Sequence, residues 1–281
     1  MLITTQISAS VRSRSLRFLY SGLLLSFVLV PHLGNRSAAA AKASTSPVPQ
    51  SDASQVRQPV LVELFTSEGC SDCPPADELL ARLDATQFVP SAHVIVLSEH
   101  VTYWNHDGWV DPYSLDEMTQ RQSWYVNRFH LDSAYTPQAV VDGAAQVIGN
   151  DGAALTHAIS AAAQKTKRDL RIEGASWDGD TIGFAVKAPE GLRGVLSVAL
   201  AEDATSSAVG RGENAGRTLH HVAVVRLMKT MGRSKTDEKP LTLQLGEAKT
   251  LTGHAYRLIV FVTDDEGGRV MAAAEVSINR P

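Results

Sequence analysis

Cysteine is nearly absent from this chain: there are two in 281 residues, Cys70 and Cys73. A structural zinc site needs four ligands of matching type, and no second pair exists to complete one. Apolar runs long enough to span a bilayer are also missing. Phe18–Val30 covers 13 residues, interrupted by Ser21, Gly22 and Ser26, against the roughly 20 a spanning helix requires. Basic residues are outnumbered, 26 to 30. Five of them (Arg12, Arg14, Arg17, Arg36 and Lys42) fall in the first 43 residues, which carry no acidic side chain. Past residue 43 the balance is 21 basic against 30 acidic, a charge of −9. That argues against nucleic acid and anionic membrane surfaces as partners, since both are bound through a basic surface. No GxxxxGK[ST] phosphate loop and no internal repeat is present.

The first 43 residues read as an export signal: a basic stretch, the apolar run, then small residues ending in Ala41-Lys42-Ala43, the small-x-small form of a cleavage site. Cleavage near Ala43 predicts a secreted or periplasmic protein with no stable membrane span. The alternative is an uncleaved N-terminal anchor. Residues 44–58 are rich in Ser, Thr, Pro, Gln and Asp and are expected to form a flexible linker.

Cys70-Ser71-Asp72-Cys73 follows a strand-like run, Pro59–Phe65, and precedes an amphipathic helical pattern, Pro74–Leu83. A strand, a Cys-x-x-Cys turn and a helix present a redox dithiol at a helix N-terminus, where the dipole favours a thiolate. The two-residue spacer closes a loop too short to constrain the unfolded chain much, so the spacing favours chemistry over stapling. Further along, His93–Leu97 reads as a buried strand and Ser114–Phe129 as a helix with a Ser114/Glu117 capping box. Gln138–Val141 and Ala145–Ile148 form a hairpin around Asp142-Gly143, and Asp151–Lys165 reads as a helix. The order β-α-β-α-β-β-α over 59–168 predicts an α/β thioredoxin-like domain, with the cysteines at the C-terminal end of its first strand. In such a domain Thr136-Pro137 stands opposite the dithiol and is expected to be cis. From 169 to 281, seven short strand patterns separated by turn signals predict an all-β sandwich-like domain.

Three segments, 62–83 (VELFTSEGCSDCPPADELLARL), 135–143 (YTPQAVVDG) and 211–226 (RGENAGRTLHHVAVVR), with the loop at 100–109, resemble a secreted bacterial family of unknown function, DUF1223, placed within the thioredoxin-like superfamily. The resemblance implies the fold, and that both halves of the chain belong to one unit. It implies no activity.

The residues leave three functional readings. The first is an exported thiol–disulfide oxidoreductase acting on a protein or small-molecule thiol or disulfide. Cys70 is the exposed attacking thiol and Cys73 the screened, resolving one. Pro137 holds the Thr136 backbone to pair with substrate, and Glu68 and Asp72 make the thiol less acidic. The second is a metallochaperone binding copper through Cys70, Cys73 and His100, since soft thiolates select Cu(I). The third is a non-catalytic interaction module. His100 also reads as a base or a satisfied structural histidine. Tyr103 and Trp104, with Trp109, form either an apolar rim to a groove or packing that pins the 100–113 loop. The Gly-rich loop at 210–217 reads as a docking segment, a polar-ligand site or a plain connection. His221 and the preceding His220 begin a strand, and alternation sends them to opposite faces.

Overall fold

The computed structural model describes residues 57–281 except 107, 234–239, 247–250, 252, 254 and 267. The expected leader (1–43), most of the linker and Asp107 lie outside the described residues. Strand β1 (Gln58–Thr66) already includes Gln58. The elements that follow are α1 (Pro74–Thr86), β2 (Ala92–His100), α2 (Asp116–Arg128), β3 (Gln138–Val141), β4 (Ala145–Ile148) and α3 (Gly152–Ala163). Seven more strands complete the chain: β5 (Arg171–Asp178), β6 (Thr181–Lys187), β7 (Val195–Ala208), β8 (Thr218–Arg233), β9 (Leu241–Gln244), β10 (Ala255–Thr263) and β11 (Val270–Asn279).

Local chemistry accounts for the first seven elements. β1 is apolar on both faces because it lies inside the sheet, parallel to β2 and antiparallel to β3. Pro74 and Pro75 open α1, where no N–H is needed, and Leu79, Leu80 and Leu83 form its buried stripe. Asp142 and Gly143 both take positive φ (50° and 60°), the geometry of a tight hairpin turn. A Cβ on Gly143 would meet the Gly268 carbonyl oxygen at 1.9 Å, so only glycine fits. The expected capping box is not formed. Leu115 is the N-cap of α2 and makes no side-chain cap, while the Ser114 hydroxyl donates to the Asp111 carbonyl (2.8 Å) instead.

The second half does not form a sheet system of its own. One eight-stranded sheet runs β11-β10-β7-β8-β2-β1-β3-β4, so strands from both sides of residue 168 share it. β8 is the seam, parallel to β2 at Ser98–Val224 and antiparallel to β7. The remaining strands form a three-stranded antiparallel sheet, β5-β6-β9. A sandwich therefore exists only locally. On β10, Leu258, Val260 and Val262 pack with Ile182, Phe184 and Leu243 of the small sheet, while Ile259 and Phe261 join the core shared with α1, α2 and α3. Period-2 alternation thus splits one strand between two cores. The described part is a mixed α/β domain in one compact unit. None of its described helices is long and apolar enough to cross a membrane.

Candidate functional site

Cys70 and Cys73 are joined by a disulfide, with Cα atoms 5.4 Å apart. The turn is built by backbone bonds, from Cys70 N–H to the Ser67 carbonyl (3.2 Å) and from Cys73 N–H to the Cys70 carbonyl (3.3 Å). Cys73 is the N-cap of α1 and its carbonyl accepts from Ala76 and Asp77. Ser71 and Asp72 are exposed, but Cys70 is 2% and Cys73 0% exposed. The expected exposed first cysteine is therefore covered.

Part of what packs on the turn comes from the other half of the chain. The loop between β7 and β8 reaches over the turn. Asn214, itself buried, donates from Nδ2 to the carbonyls of both Glu68 and Cys70 (2.9 Å each). The Glu213 carboxylate accepts from Ser71 N–H (3.0 Å). Of the readings open for 210–217, docking is the one these contacts describe.

Beneath the turn lies a buried polar cluster centred on Glu68, all four of whose polar groups have partners. Its N–H donates to Asp111 Oδ2 (2.9 Å) and its carbonyl accepts from Asn214. One carboxylate oxygen accepts from Trp109 Nε1 (2.8 Å), and the other contacts His221 Nε2 (3.2 Å). His221 Nδ1 is 3.7 Å from Asp77 on α1. Burial disfavours a charged His221, but hydrogen bonding and charge from Asp77 and Glu68 outweigh it and push its pKa up to about 10. The Glu68 carboxylate therefore faces a cationic imidazole. His100 sits beside this cluster. Its Nδ1 is 2.7 Å from Asp111 Oδ2, and its ring meets His221 edge to face at 4.6 Å. Burial alone would raise Asp111, yet the charge and hydrogen bond of His100, with the Glu68 and Tyr113 amides, hold it below the ordinary carboxylate value.

The Thr136–Pro137 bond is cis. Pro137 and Ala76 of α1 converge on Gly149, where an added Cβ would lie 3.0 and 3.3 Å from their Cβ atoms. Trp104 spans the space between this segment and the cysteine turn. Its Nε1 donates to Thr136 Oγ1 (2.7 Å), and its Cβ would be 2.9 Å from a Cβ on Gly69. Tyr103 packs with Phe65, Val101, Tyr125 and Val140. Both aromatics act as packing here, not as an open rim.

A protein-family model of proteins of unknown function, DUF1223, matches residues 61–263. The chain belongs to the DUF1223 family. No curated protein matches it. A crystal structure of an Agrobacterium tumefaciens protein is similar in fold, with a TM-score of 0.61 and 24% identity, covering 79% of this chain and 95% of that one.

In this DUF1223 protein, sequence reasoning placed the two cysteines, the cis proline and His100 at one sheet end. It missed Asp111, Asp77, Asn214 and the role of His221. Asp111 sat within a motif-free loop, and Asn214 was visible only as part of a Gly-rich stretch inside the 211–226 segment, with no role of its own. Opposite alternation of His220 and His221 was the available clue: His221 points in and is buried, while His220 is exposed. Among the described residues no group of three or more His, Cys, Asp and Glu stands in metal-holding geometry. His100 Nδ1 is engaged by Asp111, and among the described residues its buried Nε2 has no hydrogen-bond partner.

Proposed function

We propose that this protein is an exported thiol–disulfide oxidoreductase of thioredoxin-like architecture, acting on a protein or small-molecule disulfide. The observation that carries the reading is the Cys70–Cys73 disulfide at the start of α1, with the Thr136–Pro137 segment packed beside the same helical turn. A two-residue spacer at a helix N-terminus is suited to exchange, because the attacking sulfur gains from the unpaired amides when ionised. In the reducing direction, the Cys70 thiolate attacks one sulfur of the substrate disulfide. That bond breaks, and the departing substrate thiolate takes up a proton. The Cys73 thiolate then attacks Cys70 Sγ, releases the second substrate thiolate and reforms the Cys70–Cys73 bond. Two electrons pass to the substrate, and an external thiol regenerates the dithiol.

The test is turnover of insulin disulfides, or refolding of a scrambled disulfide substrate, with wild type and Cys70→Ser. A loss of at least a hundredfold is expected, and equal rates overturn the reading. One observation favours a rival, a non-catalytic module with an inert disulfide: both sulfurs are buried. A reduction potential well below about −300 mV would support that rival.

A further inference from the structure

The tip of the β7–β8 hairpin, residues 209–217, is a small body of its own. Its neck is closed by Val209 N–H donating to the Arg217 carbonyl (2.9 Å) and by Gly216 N–H donating to the Val209 carbonyl (2.8 Å). Gly212 and Gly216 turn within it at φ of 77° and 81°. Val209 is the only buried apolar side chain it contains. What fastens it over the cysteines is polar: the two bonds from Asn214 and the one to Glu213. Arg217 Nη1 donates to Asn214 Oδ1 (2.8 Å), which turns the Asn214 amide so that its N–H group faces the two carbonyls. Beneath, His221 on the same hairpin holds the carboxylate of Glu68, so the hairpin grips that residue at both its backbone and its side chain.

A segment held by a few hydrogen bonds and little apolar burial opens at low cost relative to global unfolding. The glycines at Gly210, Gly212 and Gly216 allow its backbone to rearrange. One of its latch bonds ends on the backbone carbonyl of Cys70, the residue that exchange chemistry would use.

We propose that residues 209–217 form a gate over Cys70, latched by Asn214, and that a thiol or disulfide partner reaches the sulfur only after the gate lifts. The purpose of the gate rests on the oxidoreductase reading; its existence does not. Asn214→Asp keeps the side-chain shape but sets a carboxylate oxygen against two carbonyl oxygens, which forces the latch open. Asn214→Ala removes the bonds without repulsion. Glu213→Ala loosens the outer contact at an exposed position, so folding is not at risk. The readout is the rate at which a water-soluble phosphine reduces the oxidised protein.

In wild type the rate should level off as phosphine concentration rises, because opening becomes limiting. At high phosphine Asn214→Asp should be at least tenfold faster, Asn214→Ala intermediate and Glu213→Ala least accelerated. A wild-type rate that stays linear and equals that of the variants overturns the gate. Insulin turnover separates the two proposals. Saturating, latch-dependent reduction without turnover removes the oxidoreductase reading and leaves the gate. Turnover with latch-independent reduction does the reverse.

Discussion

Glu99 and His100 are chain neighbours, yet they enter two different buried polar clusters on opposite faces of β2. His100 joins Glu68, Asp77, Asp111 and His221 beneath the cysteine turn. Glu99 joins Glu63, Arg121 and Tyr125 under α2. The α2 cluster joins β1, β2 and α2, all within the first half of the chain. Arg121 and Tyr125, one helical turn apart, both reach Glu63 at 2.5 Å. Glu99 is left over: Arg121 Nε is 3.7 Å away, and among the described residues neither carboxylate oxygen has a hydrogen-bond partner. Burial, reinforced by the Glu63 charge, pushes the Glu99 pKa well above its ordinary value. The cysteine-side cluster is drawn from five separated segments and is completed by His221, 153 residues from Glu68 in sequence. The comparison shows one cluster assembled by β1, β2 and α2 within the first half of the chain and one that needs the β7–β8 hairpin in place.

The largest effect should come from removing the α2 cation. Arg121→Leu leaves Glu63 and Glu99 buried together without compensation and should cost about 3–5 kcal/mol of stability. A loss below about 1 kcal/mol by urea unfolding at neutral pH would show that this cluster does not depend on its arginine.

His221→Gln comes next and carries a pH signature. The histidine pKa is raised from 6.5 to about 10 on folding. Its contribution is therefore complete below about pH 6.5 and is lost as pH climbs towards 10, because the native state holds a proton that the unfolded chain has released. Wild-type stability should fall across that window, and the variant's curve should be flatter there. Identical slopes would remove the ion pair from the account. In the oxidised variant, exchange of the amides around Cys70 should also quicken, since one grip of the hairpin on Glu68 is gone.

Glu99→Gln should have the smallest effect and the opposite sign. A carboxyl whose folded pKa is raised loses stability as pH rises above its unfolded value of 4.5. The amide removes that loss, so the variant should be more stable at pH 7 by on the order of 1 kcal/mol. Destabilisation would mean that the ionised carboxylate is needed beside Arg121, and the contrast between the clusters would disappear.

Much of this protein is determined locally. The Pro74-Pro75 pair starts α1, the Asp142-Gly143 pair makes the β3–β4 turn, and the cysteine spacing sets a disulfide loop at a helix start. These features depend on backbone dihedrals and on contacts within a few residues, which the chain encodes at each position. Tertiary structure decided the rest. It made one sheet of strands from 59–168 and 169–281, which read as separate domains, because strand patterns state which faces are apolar but not which edges pair. It prolonged β7 and β8 through alternating polar residues and so brought Asn214 and His221 onto a turn about 145 residues earlier. It also turned Glu68 from a flanking charge into a compensated one. Burial and charge balance at that site are properties of the surroundings, and the surroundings exist only once distant strands have paired.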